Sequence, residues 1–212
     1  LVCCLEREDV RAGFIGRASP TLADLPEGAV VGSSSLRRQA QIRRERPDLD
    51  VVTFRGNVQT RMAKLNAGEV AGTMLAMAGL NRLGISGEVT EVIAAERFLP
   101  AVGQGAIGVE TRLADTRTRD LLAPLDHRAT AIALAAERAF LAVLDGSCRT
   151  PIAGLARIDG SSIAFTGEIL RPDGSESHVA SRAGTVADAE ALGRDAVAEL
   201  KARGGPGFFG HA

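Results

Sequence analysis

The sequence predicts an α/β fold: a unit with a mostly parallel sheet, followed by a small α+β unit with a three-stranded antiparallel sheet. In residues 11–99, short apolar runs alternate with helical patterns, and this order is typical of a parallel sheet covered by helices. In the last third of the chain, three alternating segments are separated by glycine-containing turns at 159–160 and 172–174. Such tight turns favour antiparallel neighbours.

The first half of the chain supplies the elements of the parallel sheet. A proline at 47 should stop its first helix, and a glycine at 68 should close its second. The predicted elements of this unit are strands at 12–15, 29–32, 49–54 and 70–77, a short helical turn at 21–26, and helices at 35–46 and 58–67. A separate strand is predicted at 1–5, before the unit.

Residues 98–110 differ in character, because Gly103, Gly105 and Gly108 fall within six residues and lead into an apolar strand. This pattern predicts backbone packed closely against a ligand or another domain, although a glycine-rich turn between elements explains it equally well. After it we predict helices at 116–122, 129–144 and 186–202, and strands at 152–158, 163–170 and 176–182.

Composition narrows the class of protein. The 212 residues carry a formal net charge of −1 and only 3% aromatic residues, which disfavours a nucleic-acid partner. No apolar run reaches the ~20 residues of a membrane span, and no signal peptide opens the chain. Cys3, Cys4 and Cys148 have no metal-ligand spacing, so we expect no metal site and a reducing, cytoplasmic location. The chain begins without methionine inside a strand-like run, which suggests a fragment.

The run Gly-Ser-Ser-Ser-Leu-Arg-Arg at 32–38 is the most informative stretch. It follows an apolar strand and opens a helix, so hydroxyl groups, backbone N–H groups and guanidinium groups meet where a helix begins. Arg37 and Arg38 should diverge, since adjacent helical residues lie ~100° apart. Phosphate fits such a site, and so does a ligand with many carboxylates. The alternative is a serine N-cap followed by solvated arginines.

More arginines occupy comparable positions. Arg55 and Arg61 follow the predicted strand at 49–54, and Arg82 follows a small apolar run that could itself be a strand. Ligands of open α/β sheets bind at such strand ends, so these arginines are candidate partners for the same anion.

Cys148 is predicted to lie in a loop between a helix and a strand, beside Arg149. A neighbouring cation favours the thiolate, which is the nucleophilic form of cysteine. A Cys-His protease is disfavoured because no histidine is close in sequence. An inert exposed thiol remains the alternative.

Five motifs, at 32–39, 55–61, 78–84, 99–106 and 146–151, occur together and in order, and this combination closely resembles the porphobilinogen deaminase family. The resemblance extends from residue 5 almost to the C-terminus. It implies three domains: residues 1–10 and 100–123 as remnants of the first, residues 11–99 as a second domain resembling periplasmic binding proteins, and residues 124–212 as a third that holds the cofactor cysteine.

The resemblance also implies an activity in porphyrin and heme biosynthesis. A dipyrromethane cofactor would be joined to Cys148 by a thioether, and four porphobilinogen molecules would be condensed on it with loss of ammonia, giving hydroxymethylbilane. Each pyrrole carries an acetate and a propionate, which explains the need for arginines. A cytoplasmic monomer is implied. The positions that match the family's cofactor-binding residues are Cys148, Ser33, Ser35, Arg37, Arg38, Arg55, Arg61, Arg82 and Gln104.

One departure from the family concerns catalysis. The main body of the first domain should carry a catalytic aspartate in a His-Ser-Met-Lys-Asp-like motif, and the 212 residues contain no such motif. We therefore assign no catalytic residue and expect the chain as given to be inactive. The rival hypothesis is a non-catalytic anion-binding module of binding-protein-like fold, for which a loop cysteine has no use.

Overall fold

The structure is a computed structural model that describes residues 1–144 and 150–209. The strands are β1 (Cys3–Cys4), β2 (Ala12–Gly16), β3 (Val30–Ser33), β4 (Asp50–Thr53), β5 (Gly72–Ala76), β6 (Glu91–Ile93), β7 (Gly108–Val109), β8 (Ile152–Asp159), β9 (Ser162–Leu170) and β10 (Ser177–Thr185). The α-helices are α1 (Leu36–Glu45), α2 (Val58–Asn66), α3 (Met77–Arg82), α4 (Thr116–Leu122), α5 (Arg128–Val143) and α6 (Ala189–Gly204). Short 3₁₀ turns cover Ser86–Glu88, Ala123–Leu125 and Val186–Asp188.

The five-stranded sheet has the order β4-β3-β5-β2-β6. Strand β3 pairs in parallel with β4 and β5, whereas β2 pairs antiparallel with β5 and β6. The sheet is therefore mixed: β3, β4, β5 and β6 run in one direction, as the predicted mostly parallel sheet requires, and β2 alone runs against them. The reason lies in the connection from β2 to β3, where the predicted helical turn at 21–26 consists of bends and turns without a helix. Without a helical crossover, nothing requires these strands to run in the same direction.

Both faces of this sheet are covered. Phe14 and Ile15 are consecutive and fully buried, and they enter two different apolar clusters because successive strand residues point to opposite faces. Ile42 of α1 packs on the side of Phe14, and Leu65 of α2 packs on the side of Ile15. The sheet is thus held between the two helices that follow its parallel strands.

Helix α3 replaces part of a predicted strand. The run after β5 is apolar, and Met77, Ala78 and Leu80 are buried. A short buried run has the same pattern in a helix and in a strand, so periodicity alone does not separate the two. Arg82 consequently ends a helix, and the interpretation that it follows a strand directly is wrong.

The C-terminal unit follows the prediction. Strands β8, β9 and β10 form an antiparallel sheet in the order β10-β9-β8, and α5 and α6 pack against it. Phe140 of α5 and Phe165 of β9 lie at its centre, with ring centroids 5.1 Å apart. In residues 1–144 and 150–209, no helix has both the length and the apolar composition of a membrane span.

A buried carboxylate joins four parts of the chain. Glu137 of α5 is fully buried, and both its oxygens accept hydrogen bonds from the Arg7 guanidinium, at 2.6 and 3.1 Å. The same carboxylate accepts from the backbone N–H groups of Gly103, at 2.7 Å, and Ala156 in β8, at 2.9 Å. It therefore ties the N-terminal segment and the glycine-rich run to the C-terminal unit.

The glycine-rich run packs closely against the backbone of the N-terminal segment. Gly105 has a φ of 83°, and a Cβ atom there would lie 2.5 Å from the carbonyl oxygen of Glu8. Close by, β7 pairs antiparallel with β1, whose cysteines are buried. Residues 102–105 form turns, in which the Gln104 N–H donates to the carbonyl oxygen of Ala101 at 3.0 Å. The glycine-rich turn of the second interpretation is therefore present, and its close contact is with the N-terminal segment.

We expect Arg7→Met to lower the free energy of unfolding by about 3–5 kcal/mol, because it leaves the buried Glu137 charge without its partner. The midpoint and slope of urea unfolding measure this. The control is Arg194→Met, which removes an exposed pair with Glu190 and should cost at most about 1 kcal/mol. Equal losses in the two variants would show that the Arg7–Glu137 pair does not stabilise the fold.

Candidate anion-binding site

Serines end strand β3 and begin helix α1. The Ser35 side chain caps the helix by accepting from the backbone N–H of Arg38, at 3.4 Å. The Ser33 hydroxyl accepts from the backbone N–H of Ser35, at 3.3 Å. The serine N-cap of the alternative interpretation is thus present, and it places two arginines in the first turn of α1.

These arginines are not solvated. Arg37 is 4% exposed and Arg38 is 8% exposed, so that part of the alternative interpretation is wrong. Arg37 Nη1 donates to Gln41 Oε1 and to the carbonyl oxygen of Leu99, both at 2.7 Å. Arg38 Nη1 donates to the carbonyl oxygen of Met74, at 3.4 Å.

Gln104 brings the two guanidinium groups together. Its Nε2 donates to the carbonyl oxygen of Val10, at 2.5 Å, which leaves Oε1 facing the arginines. That oxygen accepts from Arg38 Nη2 at 3.1 Å and from Arg37 Nη2 at 3.4 Å. The expectation that the two side chains diverge is therefore wrong, because their length lets the tips converge on one acceptor.

The pair lacks a counter-anion within the described part of the chain. Every hydrogen bond from the Arg37 and Arg38 side chains ends on a neutral oxygen, and neither arginine takes part in an ion pair in residues 1–144 and 150–209. Their Nε atoms are buried without a partner in the same ranges. Two desolvated cations with unused donors suit a bound carboxylate or phosphate group.

The electrostatics of the pair agree with this. Burial, reinforced by the neighbouring charge of Arg38, holds the pKa of Arg37 well below its usual range, and the charge of Glu168 opposes that shift. Burial, followed by the charge of Arg61, lowers the pKa of Arg38 to about 10. Arg38 therefore keeps its charge at neutral pH. An anion that compensates this buried charge would bind favourably.

The other predicted arginines surround the pair more loosely. Arg61 is partly buried, and its Nε donates to the carbonyl oxygen of Gly56, at 2.8 Å. Arg55 and Arg82 are exposed, and in the described ranges no hydrogen bond links them to the cluster around Gln104. Because β3, β4 and β5 are mutually parallel, the segments that follow them lie at the same edge of the sheet.

Two residues of this network were not predicted from sequence. Gln41 lies one helical turn after Arg37, a spacing that brings side chains together, so its contact could have been found. Glu168 lies on β9 and hydrogen-bonds to Gln41, and no local signal links it to α1. An acidic residue within a predominantly apolar strand was the only hint.

Some predictions are not addressed by these contacts. Cys148 lies outside the described residues, between the end of α5 and the start of β8 in sequence. Three cavities, of about 500, 500 and 320 Å³, lie elsewhere, and none of the three is lined by Arg37 or Arg38. Within residues 1–144 and 150–209, no three His, Cys, Asp or Glu side chains are grouped as metal ligands would be.

Comparison with known proteins gives two family matches. Residues 1–120 match the model of "Porphobilinogen deaminase, dipyromethane cofactor binding domain", and residues 131–202 match that of "Porphobilinogen deaminase, C-terminal domain". A porphobilinogen deaminase of Nitrobacter hamburgensis is 53% identical over 205 residues. That alignment covers 97% of this chain and 65% of the relative, so the chain spans about two thirds of the relative's length.

We expect Arg38→Leu to stabilise the protein by about 1–3 kcal/mol while it weakens anion binding, since removing an uncompensated buried charge removes its desolvation cost. Urea unfolding with and without citrate, a tricarboxylate probe, measures both effects. Arg55→Leu is the matched control at an exposed position and should change stability by less than about 0.5 kcal/mol.

Arg38→Lys should retain part of the citrate binding, because it keeps the charge but loses the planar fork. A lower stability of Arg38→Leu, with citrate binding unchanged, would mean that Arg38 serves the fold through Met74 and Gln104 and does not bind anions.

Proposed function

The chain belongs to the porphobilinogen deaminase family, and from this we propose that it acts in hydroxymethylbilane synthesis. The reaction is the stepwise condensation of four porphobilinogen molecules, with loss of ammonia, on a covalently bound dipyrromethane. The observation that carries this proposal is the Arg37–Arg38 pair, whose buried guanidinium groups contact only neutral oxygens in the described residues. A ligand with many carboxylates would supply the negative charges that these two guanidinium groups need.

The residues present fit the dipyrromethane cofactor. Its acetate and propionate groups are anions, and the unpartnered Nε atoms of Arg37 and Arg38 are donors for which the described chain has no acceptor. Gln104 would keep the two guanidinium groups side by side. Ser33 and Ser35 match hydroxyl positions near the cofactor, although their side chains are already bonded to backbone groups at the start of α1.

When bound, the dipyrromethane would supply the nucleophilic pyrrole to which the first porphobilinogen is joined. The protein's part is to hold and orient carboxylates, and buried arginines do this more strongly than exposed ones. Arg37 and Arg38 would therefore fix the position of the bound chain. Carboxylates of the growing product would be bound at the same sheet edge by three more solvent-exposed arginines, Arg55, Arg61 and Arg82.

We propose Cys148 as the attachment site by motif and by elimination of the other thiols. Cys3 and Cys4 are 2% and 5% exposed. Burial, helped by the charge of Asp126, raises the pKa of the Cys4 thiol, so its nucleophilic form is disfavoured. Neither of these two cysteines suits alkylation.

We further propose the domain borders that the family resemblance implies: residues 1–10 and 100–123 in the first domain, 11–99 in a second resembling periplasmic binding proteins, and 124–212 in a third. Porphobilinogen is the proposed substrate, and a monomer in a reducing cytosol is the proposed state. A non-catalytic anion-binding module would use the arginine pair equally well, but it would need no covalently attached cofactor.

The cofactor distinguishes these two functions. When these 212 residues are produced within a protein of the relative's full length, we expect an intact mass that includes a dipyrromethane adduct. Cys148→Ser should remove the adduct, whereas Cys3→Ser should keep it in the protein that folds. A mass without adduct, together with no colour on treatment with an acidic aldehyde reagent, would contradict the proposal.

The prediction that the 212 residues alone do not turn over porphobilinogen remains to be tested. It rests on the lack of a His-Ser-Met-Lys-Asp-like motif, since a general acid or base must lie within ~3 Å of the proton that it moves. Porphobilinogen consumption by the chain, compared with a no-enzyme control, is the measurement. Consumption above the control would place the catalytic group within this sequence.

A further inference from the structure

We infer that Glu168, on strand β9 of the C-terminal unit, is a positioning residue for Arg37 and acts on it through Gln41. The inference rests on the proposed function only for the identity of the ligand, the carboxylates of the bound dipyrromethane. Its structural part, the restraint of one guanidinium group by a carboxylate on another sheet, stands on the contacts of the described residues.

The contacts form a continuous chain between the two units. Arg37 Nη1 donates to Gln41 Oε1 at 2.7 Å, and Gln41 Nε2 donates to Glu168 Oε2 at 3.1 Å. The other carboxylate oxygen of Glu168 accepts from Arg44 Nη1 in an ion pair. Gln41 is fully buried and Glu168 nearly so, so water does not compete for these bonds.

Glu168 and the carbonyl oxygen of Leu99 together orient the Gln41 amide. A carboxylate only accepts hydrogen bonds, and so does the carbonyl oxygen of Leu99, which lies 3.0 Å from Gln41 Nε2. Both acceptors require the NH₂ side of the amide, which turns Oε1 toward Arg37. Without the Glu168 charge, one of the two groups that orient this acceptor is lost.

Glu168 also acts on Arg37 by charge. It is the group whose charge opposes the effects of burial and of Arg38 on the Arg37 guanidinium. Because a glutamine lies between them, Glu168 favours the cation without forming an ion pair with it. The Nε of Arg37, which has no partner in the described residues, is thereby left for an external carboxylate.

The C-terminal unit is fixed on α1 at the same place. Arg43 Nη1 donates to the carbonyl oxygen of Pro172, at 2.9 Å. Gly174, with a φ of 78°, lies against the helix backbone, where a Cβ atom would be 2.6 Å from the Arg44 nitrogen. These contacts therefore fix the β9–β10 turn of the C-terminal unit against α1, the helix that carries Arg37.

The test uses Glu168→Gln and Gln41→Leu in the ¹⁵N-labelled chain. The first variant removes the charge of Glu168. The second breaks the relay, by which we mean the hydrogen bonds that join Arg37, Gln41 and Glu168, and keeps the Arg44–Glu168 ion pair. Arg43→Gln is the matched control, because it loosens the same contact between units through Pro172 without touching the relay. The Arg37 Nε–H signal, identified by its loss in Arg37→Lys, reports the restraint on the side chain through its exchange with water.

We expect this exchange to become about tenfold faster in Glu168→Gln and in Gln41→Leu, as fits the loss of a hydrogen bond to a charged group, and to stay unchanged in Arg43→Gln. Citrate affinity, measured by calorimetry on the same samples, should fall about tenfold in the two relay variants. If Glu168→Gln does not fold, Gln41→Leu carries the test alone.

The outcomes separate the two proposals. Unchanged Arg37 exchange in the folded relay variants would overturn the positioning role, whatever the affinity for citrate. Faster exchange in the relay variants, together with a wild-type chain that binds no citrate, would support the positioning role and count against the proposed function.

Discussion

The site depends on the cost of keeping two adjacent guanidinium groups out of water at the beginning of a helix. Arg37 and Arg38 occupy the first turn of α1, where the helix dipole is positive and disfavours cations. The protein offsets part of this cost with the carbonyl oxygens of Leu99 and Met74 and with the amide oxygen of Gln104. None of these acceptors carries a charge. The same arrangement that is unfavourable for the free protein makes the helix start attractive to an anion.

Two buried carboxylates of the C-terminal unit connect that site to the rest of the molecule. Glu137 holds Arg7 and the backbone N–H of Gly103, the residue before Gln104. Glu168 holds Arg44 and Gln41 of α1. Each carboxylate is matched by a cation and by further donors, which is the condition under which a buried charge is tolerated. The C-terminal unit thus restrains two neighbours of the arginine pair: the segment that carries Gln104, and Gln41 of α1.

Much of this could be predicted from sequence, and the failures have a common cause. The serines and Pro47 marked both ends of α1, the turns at 159–160 and 172–174 marked the antiparallel sheet, and the glycine-rich run marked a close approach. These are local signals. The direction of β2, the convergence of the arginine tips on Gln104 and the contact of Glu168 with Gln41 depend on which distant segments meet. Residues 41 and 168 are 127 positions apart, and no spacing rule reaches across that distance.

The turn between β9 and β10 illustrates what such a contact means for sequence variation. Surface hairpin turns usually accept insertions and substitutions, because their backbone faces solvent. This turn instead lies on the backbone of α1 at Gly174, where the helix leaves no space for a side chain. The backbone of α1 therefore constrains both the length of this turn and its glycine. Homologous chains that keep the helix in this position should vary less in this turn than in the turn at Gly160, which has open space around it.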